Sequence, residues 1–397
     1  MRSEGRGKAV DWGLALLGLV LLVAAAPDLA AGFESLIAES GTLAGIDLRM
    51  RVSETLRWWS GSPIYRTDAN AVYPPAAYVV LWLLTAGAEF PMARLLWAGQ
   101  SAALLLVASA GVVFASRGSG WLQRGVALLL VPSMLAVGGG VANGQMHLVT
   151  VVAGVAAVLL SARPRVSLVN DLLVAALMVV ALSKPTNAVT FFILICFLPR
   201  RVRPAALTVG LYLLMTAIAL LPQDESWFVS LTRWVDRAVA GAEHGAMDGG
   251  TANAQSLLGV LGIQSWSTVV AVACIAVFGE WASRRHDADP WILLGVAGLV
   301  ARMCVYHRSY DDLLVVPALV ALFRAMRDDR APAGWRYAAG GLLAVGWMVM
   351  SAFERIIGDG VLPGLQTAVW AALLVFLWRL AARSVEPAPH EPVTEPT

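Results

Sequence analysis

The stretch Met92–Ser116, MARLLWAGQSAALLLVASAGVVFAS, decides the fold. Over its length it carries one charge, Arg94, and it ends against Arg117. A helix crossing a bilayer needs roughly 17–25 mainly apolar residues, and this run supplies them. Working outward, runs of the same kind recur along the chain. They lie at Trp12–Ala31, Tyr73–Ala88, Trp121–Val137, His147–Ser161, Leu168–Ser183, Ala188–Leu198, Ala205–Leu221, Ser267–Trp281, Trp291–Cys304, Leu313–Met326, Tyr337–Phe353 and Leu362–Leu380.

Composition agrees. Of 397 residues, 58% are hydrophobic and 14% charged, with a mean hydropathy of +0.69. A soluble domain carries roughly 25% charged residues, so this chain lacks the polar surface for a water-soluble body of its size. Three cysteines, Cys196, Cys274 and Cys304, sit in or beside apolar runs and exclude a disulfide scaffold. The net charge of +2 provides no basic patch, so nucleic acid is not an expected partner. The fold class is an all-α polytopic membrane protein, with residues 1–383 as one transmembrane domain. Residues 384–397, rich in Pro and Glu, read as a disordered cytoplasmic tail. The first apolar run lacks a small-x-small cleavage site, so it is expected to stay.

Basic residues mark cytoplasmic loops. They cluster at Arg2/Arg6/Lys8, Arg117/Arg124, Arg163/Arg165, Arg200/Arg201/Arg203, Arg284/Arg285, Arg324/Arg327/Arg330/Arg336 and Arg379/Arg383. That spacing places both termini inside and predicts a plasma-membrane protein. Thirteen apolar runs cannot join two inner ends, so one does not cross. Tyr73–Ala88, opened by Pro74-Pro75 and stopped at Glu89, is the candidate half-length or re-entrant helix, which leaves about 12 crossings. The longest outer loops are 32–72 and 222–253. In the first, Asp47–Trp59 places Leu48, Val52, Leu56 and Trp59 on one helical face and Arg49, Glu54 and Arg57 off it. This predicts an interfacial helix on the outer surface, in contact with membrane lipids.

The outer ends also collect the polar residues, which are expensive near hydrocarbon. Asp47 reads either as a general base or as a helix N-cap. Lys184, followed by Pro185, reads as a point charge for phosphate or as a snorkelling lysine. His307, Arg308 and Asp311, in the segment Tyr306–Asp312, read as an anion site or as a solvated loop with weak ion pairs. Arg302 joins the outer cations. Asn143, Gln145 and His147 follow Gly138-Gly-Gly140, where backbone approaches a ligand closely or simply connects two spans. Asn253 offers an amide to a ligand or caps the next helix. Tyr65 and Tyr73 flank the half-length helix. No metal signature stands out: the first outer loop has no Asp-x-Asp, and Asp311 and Asp312 point apart on a helix. No cofactor is expected.

In their order these motifs resemble glycosyltransferase family 87 (GT87, the DUF2029 type), polyprenyl-phosphate-sugar enzymes of the GT-C superfamily. The resemblance rests on Gly45-Ile-Asp47 with its helix, Gly61-Ser-Pro-Ile-Tyr65, Val72-Tyr-Pro-Pro75 and Asn143-Gly-Gln145. It continues through Lys184-Pro185, Asn253-Ala-Gln-Ser-Leu257 and His307 to Tyr310-Asp311 before Pro317. It implies a GT-C fold with a cavity opening outward, and Asp47 as catalytic base. Gln145 takes the second motif position, and His147 stands where the family more usually has Asn. The late outer-loop His maps onto His307.

The expected reaction is therefore inverting transfer of a sugar from a polyprenyl-phosphate donor to a lipid-linked or glycan acceptor. By family frequency the sugar is mannose, with arabinofuranose the alternative. Arg308, His307, Lys184 and Arg302 would hold the donor phosphate. Gln145, His147, Asn143, Asn253, Tyr65, Tyr73 and Asp311 would face sugar or acceptor. The rival class is a lipid or lipid-linked-sugar transporter, which should show two related halves and charges at mid-membrane. A non-catalytic lipid-binding subunit is third.

Overall fold

In hydrocarbon the backbone must satisfy its own polar groups, so apolar runs this long become helices. The computed structural model describes residues 2–38, 44–116, 120–163, 167–198, 202–247, 253–305, 307–351 and 362–383, and these form helices joined by turns and short loops, with no strand among them. In chain order the helices are α1 (Arg2–Ala38), α2 (Ile46–Trp59), α3 (Ile64–Thr67), α4 (Pro75–Leu84), α5 (Phe90–Ala115), α6 (Trp121–Leu129), α7 (Leu135–Asn143), α8 (His147–Ser161) and α9 (Leu168–Ala181). Then come α10 (Pro185–Phe197), α11 (Val202–Leu220), α12 (Trp227–Met247), α13 (Ala254–Val260), α14 (Ser267–Arg284), α15 (Pro290–Cys304), α16 (Val316–Met326), α17 (Ala333–Val349) and α18 (Leu362–Arg383). The 3-10 turns Gln264–Trp266 and Ser309–Val315 precede α14 and α16. The tail expected over 384–397 lies outside the described residues, as does Tyr306.

Among the described residues, five helical stretches are long and apolar enough to cross a membrane: Ala9–Ala38, Phe90–Ala115, Val202–Leu220, Gln264–Arg284 and Leu362–Arg383. A sixth arises if α7 and α8, bent by 118° at their junction, are taken as one broken span. At the centre, α15 is buried on every side from Ile292 to Arg302 and packs on α10, α14, α16 and α18. Around it one apolar core runs from Leu14 to Ala381, while Phe114, Val169 and Val202 stay exposed as lipid-facing side chains would.

The described structure departs from the sequence expectations at four places. Helix α1 continues to Ala38 past the expected loop start at Gly32, because Leu36 is fully buried and extends the apolar stripe. The expected span Trp121–Val137 breaks between α6 and α7, where Pro132 has no N–H to donate. Helix then resumes to Asn143, so the expected loop from Gly138 shrinks to the turn Gly144–Met146. The loop expected over 222–253 contains α12, an amphipathic helix whose Trp234 Nε1 donates to the Val72 carbonyl at 3.1 Å. Glu54, expected on the polar face of α2, is instead buried together with Arg51 and Trp58, because α2 packs against both α4 and α5. Helix α4, at ten residues, has the half length expected for Tyr73–Ala88 and ends in a turn with positive φ at Ala86 and Gly87.

One end of the bundle is tied together by arginines. Arg327 pairs with Asp11, to which Gln123 also donates at 3.1 Å. One turn earlier on α16, Arg324 reaches Asp289 and donates to the Ala115 carbonyl at 2.8 Å. Residues far apart in sequence are clamped there at helix ends.

Candidate functional site

At the other end α2 docks onto the α7–α8 turn. Gly45 precedes α2 with φ 67°, and its N–H donates to the Ala142 carbonyl at 2.8 Å. Gly144 has φ 68°, and a Cβ on it would lie 2.4 Å from Leu48 Cβ. Both positions demand glycine, one for conformation and the other for space as well. The docking sets Asp47, half-buried in the first turn of α2, against Gln145, whose side-chain amide donates to Asp47 Oδ2. Asp47 is not the N-cap: Gly45 holds that position and no side chain caps the helix.

The second part of the cluster comes from α10 and the 3-10 turn before α16. Pro185 at the first position of α10 lacks an N–H that would be unpaired there anyway, so the helix starts after Lys184. Lys184 Nζ lies 2.6 Å from Asp311 Oδ1 and 5.2 Å from the Tyr310 ring centre. Asn187, one turn on, donates to Asp311 Oδ1 at 3.4 Å and to Thr150 Oγ1 at 3.1 Å. Its carbonyl oxygen faces His307 Nε2 at 3.0 Å, and His307 Nδ1 faces the Val305 carbonyl at 3.1 Å. Asn253 donates to the His307 carbonyl at 3.2 Å and caps α13 by accepting from Ser256 N–H, as its capping reading expects.

Electrostatics follow from this packing. Burial works to raise the Asp311 carboxyl, but Lys184 and then His307 outweigh it and hold it at about 2. Burial pushes the His307 imidazole down to about 4, with Arg302 and Lys184 adding to the effect against Asp311. His307 is thus a neutral ring that braces the turn by donating to either the Asn187 or the Val305 carbonyl oxygen. On α2, burial raises Glu54 to about 7 despite Arg51, whose Nη1 donates to Glu54 Oε2 at 2.6 Å. The Arg51 guanidinium also lies 4.7 Å from the Tyr73 ring centre.

The sequence-expected residues therefore divide. Asp47 meets Gln145, and Lys184 meets Asp311 beside Tyr310. Asn143 is half-buried at the end of α7. Arg308, exposed at the rim, gives its backbone N–H to Asp311 Oδ2 at 3.4 Å. Arg302 is held elsewhere: it is buried, pairs with Asp312 at 2.6 Å and stacks on Trp370 at 4.5 Å. The Tyr65 hydroxyl is spent on the Tyr73 carbonyl at 2.6 Å. Sequence reasoning missed Asn187, Arg51 and Tyr310. Asn187 lies one turn after Lys184 and Arg51 one turn after Asp47, so helical spacing from the chosen residues was the available signal.

His147 stands apart. It opens α8 at 1% exposure, with its ring centre 6.2 Å from that of Tyr310, and neither ring nitrogen has a hydrogen-bond partner. Leaving a buried donor or acceptor unpaired costs about 1–3 kcal/mol. An apolar groove of about 140 Å³ runs between α5, α8 and the start of α16, lined by Val107, Gly111, Val151, Val155, Leu313 and Pro317 among others. Among the described residues, no three His, Cys, Asp or Glu side chains gather closely enough to hold a metal ion.

The fold and this cluster define a helical membrane protein with a polar cluster at one end of its bundle and an apolar groove between α5, α8 and α16. No family model, curated protein or solved structure matches the chain.

Proposed function

We propose that this chain is a membrane glycosyltransferase of GT-C type, with about 12 crossings and its site on the outer face of the plasma membrane. It moves a sugar, mannose or else arabinofuranose, from a polyprenyl-phosphate donor to a lipid-linked or glycan acceptor, with inversion. The observation that carries this reading is the meeting of Asp47 with Gln145 from segments 98 residues apart, beside the Lys184–Asp311 pair. A carboxylate oriented by an amide is placed to take a proton, and a lysine nearby is placed to meet an anion.

In the reaction Asp47 takes the proton of the acceptor hydroxyl as its oxygen attacks the anomeric carbon. The bond from that carbon to the phosphate oxygen breaks, and polyprenyl phosphate leaves as an anion. Lys184 and Arg308 face the departing phosphate, an electrostatic contribution aimed where charge develops. A phosphate is a good leaving group, so no general acid is needed. The groove along Val151 and Leu313 suits the polyprenyl tail, because its wall is apolar and it begins two residues beyond Asp311. Gln145 fixes the carboxylate orientation, which makes proximity effective.

Asp47→Asn in nanodiscs, assayed with decaprenyl-phosphate mannose and an acceptor lipid, tests this reading. Loss of transfer with donor binding retained is expected, and wild-type turnover would remove Asp47 as base. A wild-type protein that moves the donor across the bilayer but releases no decaprenyl phosphate would instead be a transporter. The arginine-clamped end of the bundle argues for a site open to one side only.

A further inference from the structure

Among the described residues of the cluster, His147 is the buried side chain with no hydrogen-bond partner on either ring nitrogen. Its surroundings are shaped around it. Gly140 lies beneath the ring, and a Cβ there would come within 1.9 Å of His147 Cε1. Asp311 and Lys184 are near enough for their charges to act on it. Two residues earlier in the chain, Gln145 holds Asp47. The half-buried Tyr310 covers it from the 3-10 turn. His147 therefore belongs to the same cluster as the Lys184–Asp311 pair, two residues along the chain from the amide that orients Asp47. In the proposed reaction, with Asp47 on the acceptor and Lys184 on the phosphate, the group between them is the transferred sugar.

A neutral imidazole carries one N–H donor and one bare nitrogen acceptor, and a hydroxyl can meet either. Apolar packing would be served as well by phenylalanine or leucine, without stranding polar atoms. We infer that His147 is the specificity-determining residue of this site, its ring taking a hydroxyl of the transferred sugar once Tyr310 swings aside. This rests on the glycosyltransferase reading for the sugar's place, while the binding it describes does not require catalysis. Tyr310 is suited to the movement because, among the described residues, its ring contacts are the His147 ring and the Lys184 charge.

Two measurements on the full-length protein in nanodiscs test it. The first compares binding of decaprenyl-phosphate mannose with that of bare decaprenyl phosphate. Wild type should prefer the sugar-bearing lipid about tenfold, as one hydrogen bond of about 1.4 kcal/mol provides. His147→Phe, which keeps the ring bulk without nitrogens, should lose the preference, and His147→Asn should keep part of it. Equal binding of the two lipids by wild type, or an unchanged preference in the folded Phe variant, overturns the proposal. The second measures transfer from mannose donors each lacking one hydroxyl. One deoxy donor should lose at least tenfold in kcat/KM with wild type and nothing further with His147→Phe. Wild-type discrimination among deoxy donors retained in the Phe variant again overturns it. If wild type shows the binding preference but no transfer, the enzymatic reading fails and the assignment of His147 stands.

Discussion

The two ends of the bundle use polar residues in opposite ways. At the Asp11 end, Arg327 and Arg324 each reach across to a carboxylate on another segment, and the effect is a clamp. At the Asp47 end the network branches: Asp311 is shared by Lys184 and Asn187, and Asn187 is shared by Thr150 and His307. That end also strands both nitrogens of His147 and one oxygen of Glu54, whereas the Arg327–Asp11 clamp leaves a single atom, Arg327 Nε, without a partner. A clamp needs only complementary pairs. A site must keep some capacity in reserve for its ligand, and stability is lost wherever it does.

Substitutions at the two ends should separate these roles, and the largest effect belongs to the carboxylate assigned to chemistry. Asp47→Asn should lower kcat roughly 10²–10⁴-fold, the range of general-base catalysis, with little change in thermal unfolding. Next, Lys184→Met leaves Asp311 buried and unpaired, which should cost about 3–5 kcal/mol in unfolding experiments. The pH sign follows from Asp311 being held at about 2 in the folded protein. Its contribution is present above the ordinary 3.8 and is lost as pH falls through about 2, so Lys184→Met should flatten the acid limb of stability.

Glu54 tilts the other way. Raised to about 7, it contributes stability below its ordinary 4.5 that is lost as pH rises through 7. Glu54→Gln should remove that slope, on the order of 3 kcal/mol, in pH-dependent melting curves. At the clamped end, Asp11→Asn should lower stability by about 1–2 kcal/mol and leave kcat/KM unchanged. A loss of transfer there would erase the contrast between the ends. The smallest change is expected for Arg308→Ala, whose exposed charge is screened by salt: a few-fold rise in KM at low ionic strength that vanishes at high salt.

Membrane character was legible locally, because a mainly apolar run such as Met92–Ser116 leaves the backbone no alternative to a helix. The half-length α4 was legible too, since Pro74-Pro75 and Glu89 bound it. Helix α12 was not, because its apolar residues are interleaved with charges such as Arg233 and Asp236 and read as a loop. In the site, Asp47, Gln145 and Lys184 were each visible as polar residues at apolar borders. Their partners were not, and Arg302 shows why. By composition it looks like Lys184, yet it faces Asp312 and Trp370 in the core.

What the sequence determined by itself is therefore the set of helices and the sorting of cations into clusters and scattered singles. Both follow from short-range composition, which the solvent reads residue by residue. Only the tertiary structure decided which scattered cation meets which acid, that Glu54 turns inward, and that His147 is left without a partner. Those outcomes depend on how α2, α8 and α10 pack against the turn before α16. Contacts between residues 98 and 127 positions apart are set by helix packing, which no local periodicity encodes.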